Sequence, residues 1–430
     1  MKNNLSQEAG TTRVLAARHI AAVVAGNALE FYDFLAYAFF AVQIGRCFFP
    51  AQSPSSSLLL SLATFGAGFL TRPLGGAVIG MMADRRGRRP AMMLSFTLMG
   101  MGMLGLALTP PFHAIGIAAP LIVLTLRLLQ GFALGGEIGP TTAFLVEAAP
   151  ASRRGLYGSL QFMTQNLAQF AAGLVGIVLA ATVSARALDE WGWRIAFLIG
   201  ASVVPLGLAI RRSLPETLNA GWLEPVAQHA GSGYRRIVVL GFLMLVSATI
   251  ASYVQVDLTT YAQATLGLNP QVAFLATMVN GLSLACCNAI GGWLSDKFGR
   301  KPIMASATGL LAVCSYPAFF LMVRLGTPAA LYIGSAVLGA LLGIATGPLL
   351  TTITEALPAR IRAGTVAVVY ALAISVFGGS TQFVITWLIG ATGNPLAPGW
   401  YMLGAAVVGL GAVVCLRESA PRAAPATLAA

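Results

Sequence analysis

The feature that most constrains this chain is a series of twelve apolar segments, most of them about twenty residues long, separated by short polar connections. Numbered as spans 1 to 12, they cover residues 18–42, 57–81, 91–110, 117–140, 155–182, 194–212, 236–258, 270–293, 303–324, 328–350, 365–391 and 400–417. An α-helix needs about 20 apolar residues to cross the hydrocarbon core of a bilayer. A transmembrane barrel would instead show shorter segments of alternating polarity. The pattern predicts an all-α polytopic membrane protein with twelve transmembrane helices.

Composition supports the same prediction and excludes most other classes. Hydrophobic residues make up 57% of the 430 positions and charged residues only 9%, whereas a soluble domain carries roughly 25% charge. The chain therefore has too few charged groups to cover a soluble surface. No metal-ligand spacing, nucleophile triad or phosphate loop is present, so we expect no enzyme activity, no cofactor and no metal site.

The positive charge of the chain predicts its orientation. A net charge of +12 would suggest a nucleic-acid partner in a soluble protein, but in a membrane protein Lys and Arg concentrate in cytoplasmic loops. With a cytoplasmic N-terminus, 20 of the 26 basic residues fall on the cytoplasmic side. We therefore expect a multi-pass protein of the bacterial inner (plasma) membrane with both termini in the cytoplasm and no nucleic-acid partner.

An internal repeat divides the chain into two halves. The segment from Gly80 to Pro90 after span 2 matches the segment from Gly292 to Pro302 after span 8, and a second pair of short segments follows spans 4 and 10 at nearly the same offset. Two independent matches indicate a duplicated six-helix unit. The predicted divisions are an N-terminal tail (1–17), an N-terminal bundle (18–212), a central cytoplasmic loop (213–235), a C-terminal bundle (236–417) and a C-terminal tail (418–430).

The repeated loop residues are candidates for a conformational gate. Basic loops can serve topology alone, but topology does not require a repeated Gly-x-x-x-Asp-Arg/Lys-x-Gly-Arg spacing. The gating candidates are Gly80, Asp84, Arg85, Gly87, Arg88, Glu147, Arg154, Asp296, Lys297, Gly299, Arg300, Glu355 and Arg362.

These repeated loops resemble the motifs after helices two and eight of the major facilitator superfamily. Four further stretches resemble its metabolite:proton symporter family, and the first two spans and two later segments look most like the citrate/tricarballylate branch. The four stretches that resemble the symporter family are Gly26–Phe34, Arg72–Gly75, Gln130–Glu137 and Trp191–Arg194. The two later segments that resemble the citrate/tricarballylate branch are Phe377–Gly379 and Pro398–Trp400. The resemblance implies two pseudo-symmetric six-helix bundles, alternating access and a substrate site between the halves.

Ionisable residues within the spans are expensive, so each is a functional candidate. The N-terminal half has Glu30, Asp33, Arg72, Arg127 and Glu137, with Arg72 nearer the cytoplasmic side. The second half has Asp257 near the outer end of span 7, for which a position at the membrane interface is the alternative. Helical spacing brings the first-half groups toward a polar stripe on span 5, as if lining one aqueous cavity. The candidate substrate residues are Arg72, Arg127, Asn27, Tyr32, Tyr37, Gln130, Gln161, Gln165, Gln169, Tyr253, Asn280 and Asn288.

Each of these groups has a structural alternative. In the alternative interpretation, Arg72 and Arg127 serve only in ion pairs between helices, and the neutral side chains serve only in helix-to-helix hydrogen bonds. The row Gly131, Gly135 and Gly139 on span 4 is expected to permit close helix packing without touching a ligand.

The functional hypothesis is proton-coupled uptake of a di- or tricarboxylate such as citrate or tricarballylate. Arg127 and Arg72 are the anion candidates, and Glu30, Asp33 and Glu137 carry the proton, because the three histidines lie at or beyond span ends. An anion occupying Arg127 would deprive a carboxylate of its cationic partner, and that carboxylate would bind a proton. The alternatives are a transporter of 2-oxoglutarate, shikimate or a betaine-like metabolite, a proton/drug antiporter, and a receptor. The expected partners are a small organic anion, a proton and the lipid bilayer, with the protein working as a monomer.

Overall fold

The computed structural model describes residues 24, 27–28, 31–32, 34–51, 53–86, 88–135, 141–142, 145–146, 149–212, 232–357 and 362–419. At some of these positions, among them 80–81, 83–86, 88–89 and 362–364, it describes only the backbone.

Helices occupy the predicted spans of the N-terminal half. Span 1 ends with the helix Ala41–Phe48, span 2 consists of Pro54–Ala67 and Arg72–Arg86, span 3 is Arg88–Leu108, span 4 is Ala118–Gly135 in its described part, span 5 is Arg154–Thr182 and span 6 is Trp193–Arg212. Short helical turns at Phe112–Ile115, Ala151–Arg153, Ala185–Ala187 and Leu188–Gly192 connect them, the last one π-helical.

The C-terminal half repeats this arrangement. Span 7 consists of Ser232–Val256 and Leu258–Ala264, span 8 is Pro270–Phe298, span 9 is Arg300–Leu325, span 10 consists of Pro328–Thr346 and Leu349–Ala356, span 11 joins Arg362–Ala373 to Gly379–Thr392 through a π-helical turn at Ile374–Gly378, and span 12 is Ala397–Cys415. Within the described residues, ten helices are long and apolar enough to cross a membrane, and the apolar helix Met93–Leu108 adds a shorter one. Span 1 is described only in part.

Local sequence explains where several spans begin. Spans 2, 8 and 10 each start with a polar cap followed by proline, and the cap side chain accepts a backbone N–H of the first turn. The caps are Ser53, Asn269 and Thr327. Proline suits this position because its missing N–H has no partner in the first turn of a helix.

Helix packing follows a pseudo-twofold arrangement. Inside each half, spans 3 and 6 pack as spans 9 and 12 do, and spans 2 and 4 pack as spans 8 and 10 do. Between the halves, span 5 runs along span 8, and span 2 packs against span 11. These two contacts are equivalent under the repeat, because span 5 corresponds to span 11 and span 8 corresponds to span 2. The prediction of two pseudo-symmetric bundles is confirmed.

Glycines permit the closest helix contacts. A Cβ atom on Gly131 would lie 1.5 Å from the carbonyl oxygen of Gly68, and one on Gly135 would lie 2.0 Å from that of Arg72. The prediction that these two glycines allow spans 2 and 4 to pack closely is confirmed. Gly139 lies outside the described residues.

Candidate functional site

A cavity lies at the centre of the molecule between the two halves. The N-terminal half contributes side chains of spans 1 and 5, and the C-terminal half contributes side chains of spans 7, 8, 10 and 11. Its lining includes Phe31, Phe34, Phe162, Gln165, Asn166, Gln169, Thr249, Tyr253, Thr346 and Tyr370. Most of this wall is apolar or aromatic, with a few amides and hydroxyls, which is typical of sites for small organic molecules.

Arg72 lies behind the aromatic wall of this cavity. Its guanidinium carbon is 4.1 Å from the ring centroid of Phe69 and 4.6 Å from that of Phe34. The Tyr253 ring of the other half packs on the Phe69 ring at 5.5 Å between centroids, so this cluster crosses from one half to the other. Arg72 is only 3% exposed, and its Nε and Nη2 atoms have no hydrogen-bond partner among the described residues. Although Arg72 begins the second helix of span 2, its charge therefore faces the centre of the molecule.

Arg127 is buried against the same aromatic cluster. Its guanidinium carbon lies 4.5 Å from the ring of Tyr37 and 5.3 Å from the ring of Phe34, the ring that Arg72 also contacts. Gln130, one turn later on span 4, accepts a hydrogen bond from Arg127 Nη1 at 2.7 Å. The structure thus brings two cations to one aromatic ring, where cation–π contacts partly replace the lost hydration.

The π-helical turn of span 11 allows this cluster to form between the halves. A Cβ atom on Gly378 would lie 2.9 Å from the Tyr253 ring and 3.1 Å from the Phe69 ring. A Cβ on the neighbouring Gly379 would lie 3.0 Å from the carbonyl oxygen of Gly66 on span 2. The two glycines therefore permit spans 2, 7 and 11 to meet beside Arg72.

The glutamine stripe of span 5 divides into two groups. Gln165 and Gln169 line the cavity, where they lie with Tyr370 of the other half. Gln161 instead donates to Asn27 Oδ1 at 3.0 Å, inside the N-terminal half.

Asn280 and Asn288 belong to a polar contact between spans 5 and 8. Asn280 accepts from Gln169 at 2.8 Å, and Asn288 accepts from Asn166 at 2.7 Å. Both asparagines also donate to other groups of the C-terminal half. Their observed contacts are helix-to-helix hydrogen bonds, and a direct role in binding stays a prediction.

Three other candidates bond away from the cavity. Asn27 donates to Thr164 and to the Gln161 carbonyl on span 5. Tyr32 donates to the Ala196 carbonyl on span 6 at 3.1 Å, and Tyr37 donates to the Ser61 carbonyl on span 2 at 3.3 Å. These bonds hold span 1 inside its own bundle.

The predicted proton-binding carboxylates Glu30, Asp33 and Glu137 lie outside the described residues. Asp257 is described, and its position near the membrane interface stays a prediction. It is only 2% exposed, because the fold packs the outer part of span 7 inside the protein.

The second copy of the loop motif connects the two halves. Asp296, at the end of span 8, accepts hydrogen bonds from the backbone N–H groups of Gly155 (2.8 Å) and Leu156 (2.9 Å). These donors belong to the first turn of span 5, where a negative charge is favourable. We call the side of the molecule that carries this contact the motif face. Here Asp296 holds the two halves together.

Arg300 organises the acidic groups of this contact. Its Nη1 atom is 2.6 Å from Asp296, and its Nε and Nη2 atoms each lie 3.3 Å from an oxygen of Glu355. A Cβ atom on Gly155 would lie 2.3 Å from Arg300 Nη1, so span 5 approaches closely. Gly299 has φ = 97°, a backbone conformation that glycine adopts without strain.

The remaining gating candidates have different positions. Lys297 lies over the ring of Trp293 at 3.9 Å, and the Arg154 carbonyl accepts from Thr351 at 3.3 Å. Gly87 and Glu147 lie outside the described residues, and only the backbone is described at Gly80, Asp84, Arg85, Arg88 and Arg362.

Sequence reasoning missed several members of the site. Tyr370 and Asn166 line the cavity. The Phe34 ring contacts both Arg72 and Arg127, and the Phe69 ring contacts Arg72. Asn166 adjoins the glutamine stripe and Tyr370 is a lone hydroxyl in an apolar span, so each carried a weak signal. The two phenylalanines look like ordinary core residues in the sequence.

Comparison with known proteins places the chain in a family. The model of the Major Facilitator Superfamily matches residues 20–381, and a second match covers residues 240–429. The chain belongs to this superfamily. It is 35% identical over 400 residues to a citrate-proton symporter of Salmonella typhi, with 92% of each chain covered. It is also 35% identical to an alpha-ketoglutarate permease of Escherichia coli, with 91% of this chain and 92% of the permease covered.

Solved structures confirm the fold. The crystal structure of a D-xylose-proton symporter superposes with a TM-score of 0.73 over 91% of this chain and 96% of that chain, at 20% identity. The predicted fold class, the superfamily and the multi-pass membrane character are therefore confirmed. The relatives are transporters, as expected for a chain that is not an enzyme.

Proposed function

We propose that this protein is a proton-coupled symporter that takes up a di- or tricarboxylate, with citrate, tricarballylate and 2-oxoglutarate as the leading candidates. The observation that carries the proposal is the pair of buried guanidiniums, Arg72 and Arg127, in contact with the same Phe34 ring beside the central cavity. A substrate with two or more carboxylates can neutralise two such cations at once. Guanidinium groups suit this role because they bind carboxylates in a bidentate geometry.

The cavity provides an opening to these arginines. Tyr253 lines the cavity beside Arg72, so a small movement of this ring would present the Nε and Nη2 donors of Arg72 to a ligand. Gln165 and Tyr370 offer further polar contacts from opposite halves. A ligand bound here would touch both halves, as alternating access between inverted or repeated halves requires.

Two of the similar relatives support the substrate class. One is named for citrate and protons, and the other for alpha-ketoglutarate. Both compounds carry at least two carboxylates, which fits two arginines better than a zwitterionic betaine would.

Orientation, domain boundaries and oligomeric state form part of the same proposal. We assign the motif face and both termini to the cytoplasm, because the basic residues concentrate there. The N-terminal bundle (18–212) and C-terminal bundle (236–417) move relative to each other around the site, joined by the loop 213–235. One chain contains a whole site, so the protein works as a monomer.

Transport in proteoliposomes tests the proposal directly. Purified protein is reconstituted, and uptake of labelled citrate is measured with and without an inward proton gradient. We expect the gradient to accelerate uptake, and unlabelled tricarballylate or 2-oxoglutarate to compete while betaine does not. If no labelled carboxylic acid responds to the gradient, the symport proposal is wrong. Acceleration by the opposite gradient would indicate an antiporter.

A further inference from the structure

Span 7 contains a buried carboxyl group that the anion site does not use. Asp257 lies between the helices Ser232–Val256 and Leu258–Ala264, and its backbone continues the helical hydrogen bonds, from its N–H to the Tyr253 carbonyl and from the Tyr261 N–H to its own carbonyl. Its Oδ1 atom has no hydrogen-bond partner within the described part of the chain, and no described Lys or Arg forms an ion pair with it. Burying the ionised carboxylate here would cost free energy, and protonation to the neutral acid avoids that cost.

Asp257 lies between two cavities. Tyr253, one turn earlier on span 7, and Val256, the residue directly before Asp257, line the central cavity. Two turns later, Gln263 and Ala264 line a second cavity at the face opposite the motif face, together with Gln43 and Ser57 of the N-terminal half. We call this second cavity the outer vestibule. The carboxyl group therefore lies on the segment that connects the vestibule to the substrate site.

Two further polar groups connect Asp257 with the vestibule. Thr260 and Gln263 follow it at i+3 and i+6, so the three lie along one side of the helix at steps of roughly 4.5 Å. Thr260 Oγ1 and Gln263 Nε2 also lack hydrogen-bond partners among the residues described. Buried polar atoms are usually satisfied by protein or by water. Three such atoms in a row, ending at a polar cavity, are therefore suited to hydrated proton transfer.

The side chains next to Asp257, Thr260 and Gln263 are engaged in other contacts. Thr259, the adjacent hydroxyl, hydrogen-bonds with Thr277 of span 8 and so points elsewhere. Tyr261 is the ionisable neighbour of Asp257, and its hydroxyl donates to the Pro395 carbonyl at 2.7 Å. In the vestibule, the described charges Arg46 and Asp189 neutralise each other in an ion pair of 2.6 Å.

We propose that Asp257 binds the transported proton, which reaches it from the outer vestibule along Gln263 and Thr260. The proton passes from water to the carboxylate, which becomes neutral, and it returns to water on the cytoplasmic side after the conformational change. Tyr253 contacts Arg72 one turn away, so proton and anion act on the same helix. This inference rests on the proposed symport and adds a coupling residue in the C-terminal half.

Separate assays of coupling and exchange test this role. Proteoliposomes with wild type, D257N or E190Q are compared in citrate accumulation driven by a proton gradient and in citrate exchange without a gradient. We expect D257N to lose gradient-driven accumulation while exchange stays within about twofold of wild type. E190Q alters an exposed carboxylate paired with Arg186 and should match wild type in both assays. Gradient-driven accumulation by D257N equal to that of wild type overturns the proposal.

Conservative variants separate coupling from a structural role. If D257N loses both activities, D257E is tested next, because it keeps the carboxyl group. Restored gradient-driven uptake in D257E supports the proposal. Loss of both activities in D257E, with a melting temperature equal to that of wild type, overturns it. T260V should slow gradient-driven uptake several-fold without slowing exchange, whereas T260S, which keeps the hydroxyl, should not. Equal behaviour of T260V and T260S overturns the proposed path.

A titration without substrate distinguishes this proposal from the proposed function. Purified wild type should take up about one proton more than D257N when it is titrated from about pH 9 to about pH 5. This range brackets reversible protonation near neutral pH. No difference overturns the role of Asp257. A one-proton difference in a protein that transports no carboxylic acid would sink the proposed function alone.

Discussion

At the scale of single residues, the guanidinium groups of Arg72 and Arg127 pack against the faces of aromatic rings. Phe34 and Phe69 contact Arg72, while Phe34 and Tyr37 contact Arg127. Desolvated contacts of this kind are worth about 2 kcal/mol or more. They keep both cations in place while leaving hydrogen-bond donors of Arg72 for an anion.

Substitution of Arg72 or Arg127 by lysine should weaken citrate binding. Lysine keeps the charge but loses the planar fork that binds carboxylates and stacks on rings. Loss of one charge-assisted bond, about 1.5–3 kcal/mol, corresponds to roughly 10- to 100-fold in affinity. Binding is measured by calorimetry on purified protein. R324K is the control, because Arg324 lies over the Phe320 ring near the end of span 9 and does not line the central cavity. Unchanged affinity in R72K and R127K would contradict the site.

At the scale of elements, the irregular turn of span 11 controls the contact between the halves. We expect G378A to reduce citrate uptake several-fold, since a Cβ at this position would press on the Tyr253 and Phe69 rings. G390A is a matched control on the same span, where a Cβ meets no atom within 4 Å. Initial uptake rates at equal protein content measure the difference. Equal rates for the two variants would show that this close approach is not needed.

The contact of Asp296 with span 5 should behave as a latch at the motif face. Asparagine keeps one acceptor oxygen but loses the charge, so D296N should destabilise the closed state by about 1.5–3 kcal/mol. Opening is measured by alkylation of T351C in a background without the native cysteines. Thr351 is fully buried beside Gly158 of span 5, so we expect labelling in D296N to be about 10- to 100-fold faster.

The exposed position S306C should be labelled equally in both backgrounds. Slow labelling of T351C in D296N, equal to that in the parent, would show that Asp296 does not hold the motif face closed.

At the scale of the whole molecule, the substrate is expected to join two bundles whose described residues form no ion pair with each other. A ligand that binds the folded state at 100 times its Kd stabilises it by about 2.7 kcal/mol. Citrate should therefore raise the melting temperature of detergent-purified protein by a few degrees, and it should not do so in R127A. Betaine is the negative control. A rise with betaine and none with any carboxylate would indicate another substrate class.

The sequence by itself determined the helices, the duplication and the buried charges. Span lengths follow from bilayer thickness, and the repeated loops identify two halves, because both constraints act along the chain. The same rule that makes buried charge expensive identified Arg72 and Arg127 as candidates.

Only the tertiary structure decided how those residues are used. In the structure, Asn280 and Asn288 form hydrogen bonds between spans 5 and 8, Arg72 lies beside Tyr253 of the other half, and Asp257 is buried inside the protein. The physical reason is that hydropathy measures the cost of leaving water, while a side chain's role depends on its partners. Those partners lie on helices more than a hundred residues away, as Asn166 and Asn288 do.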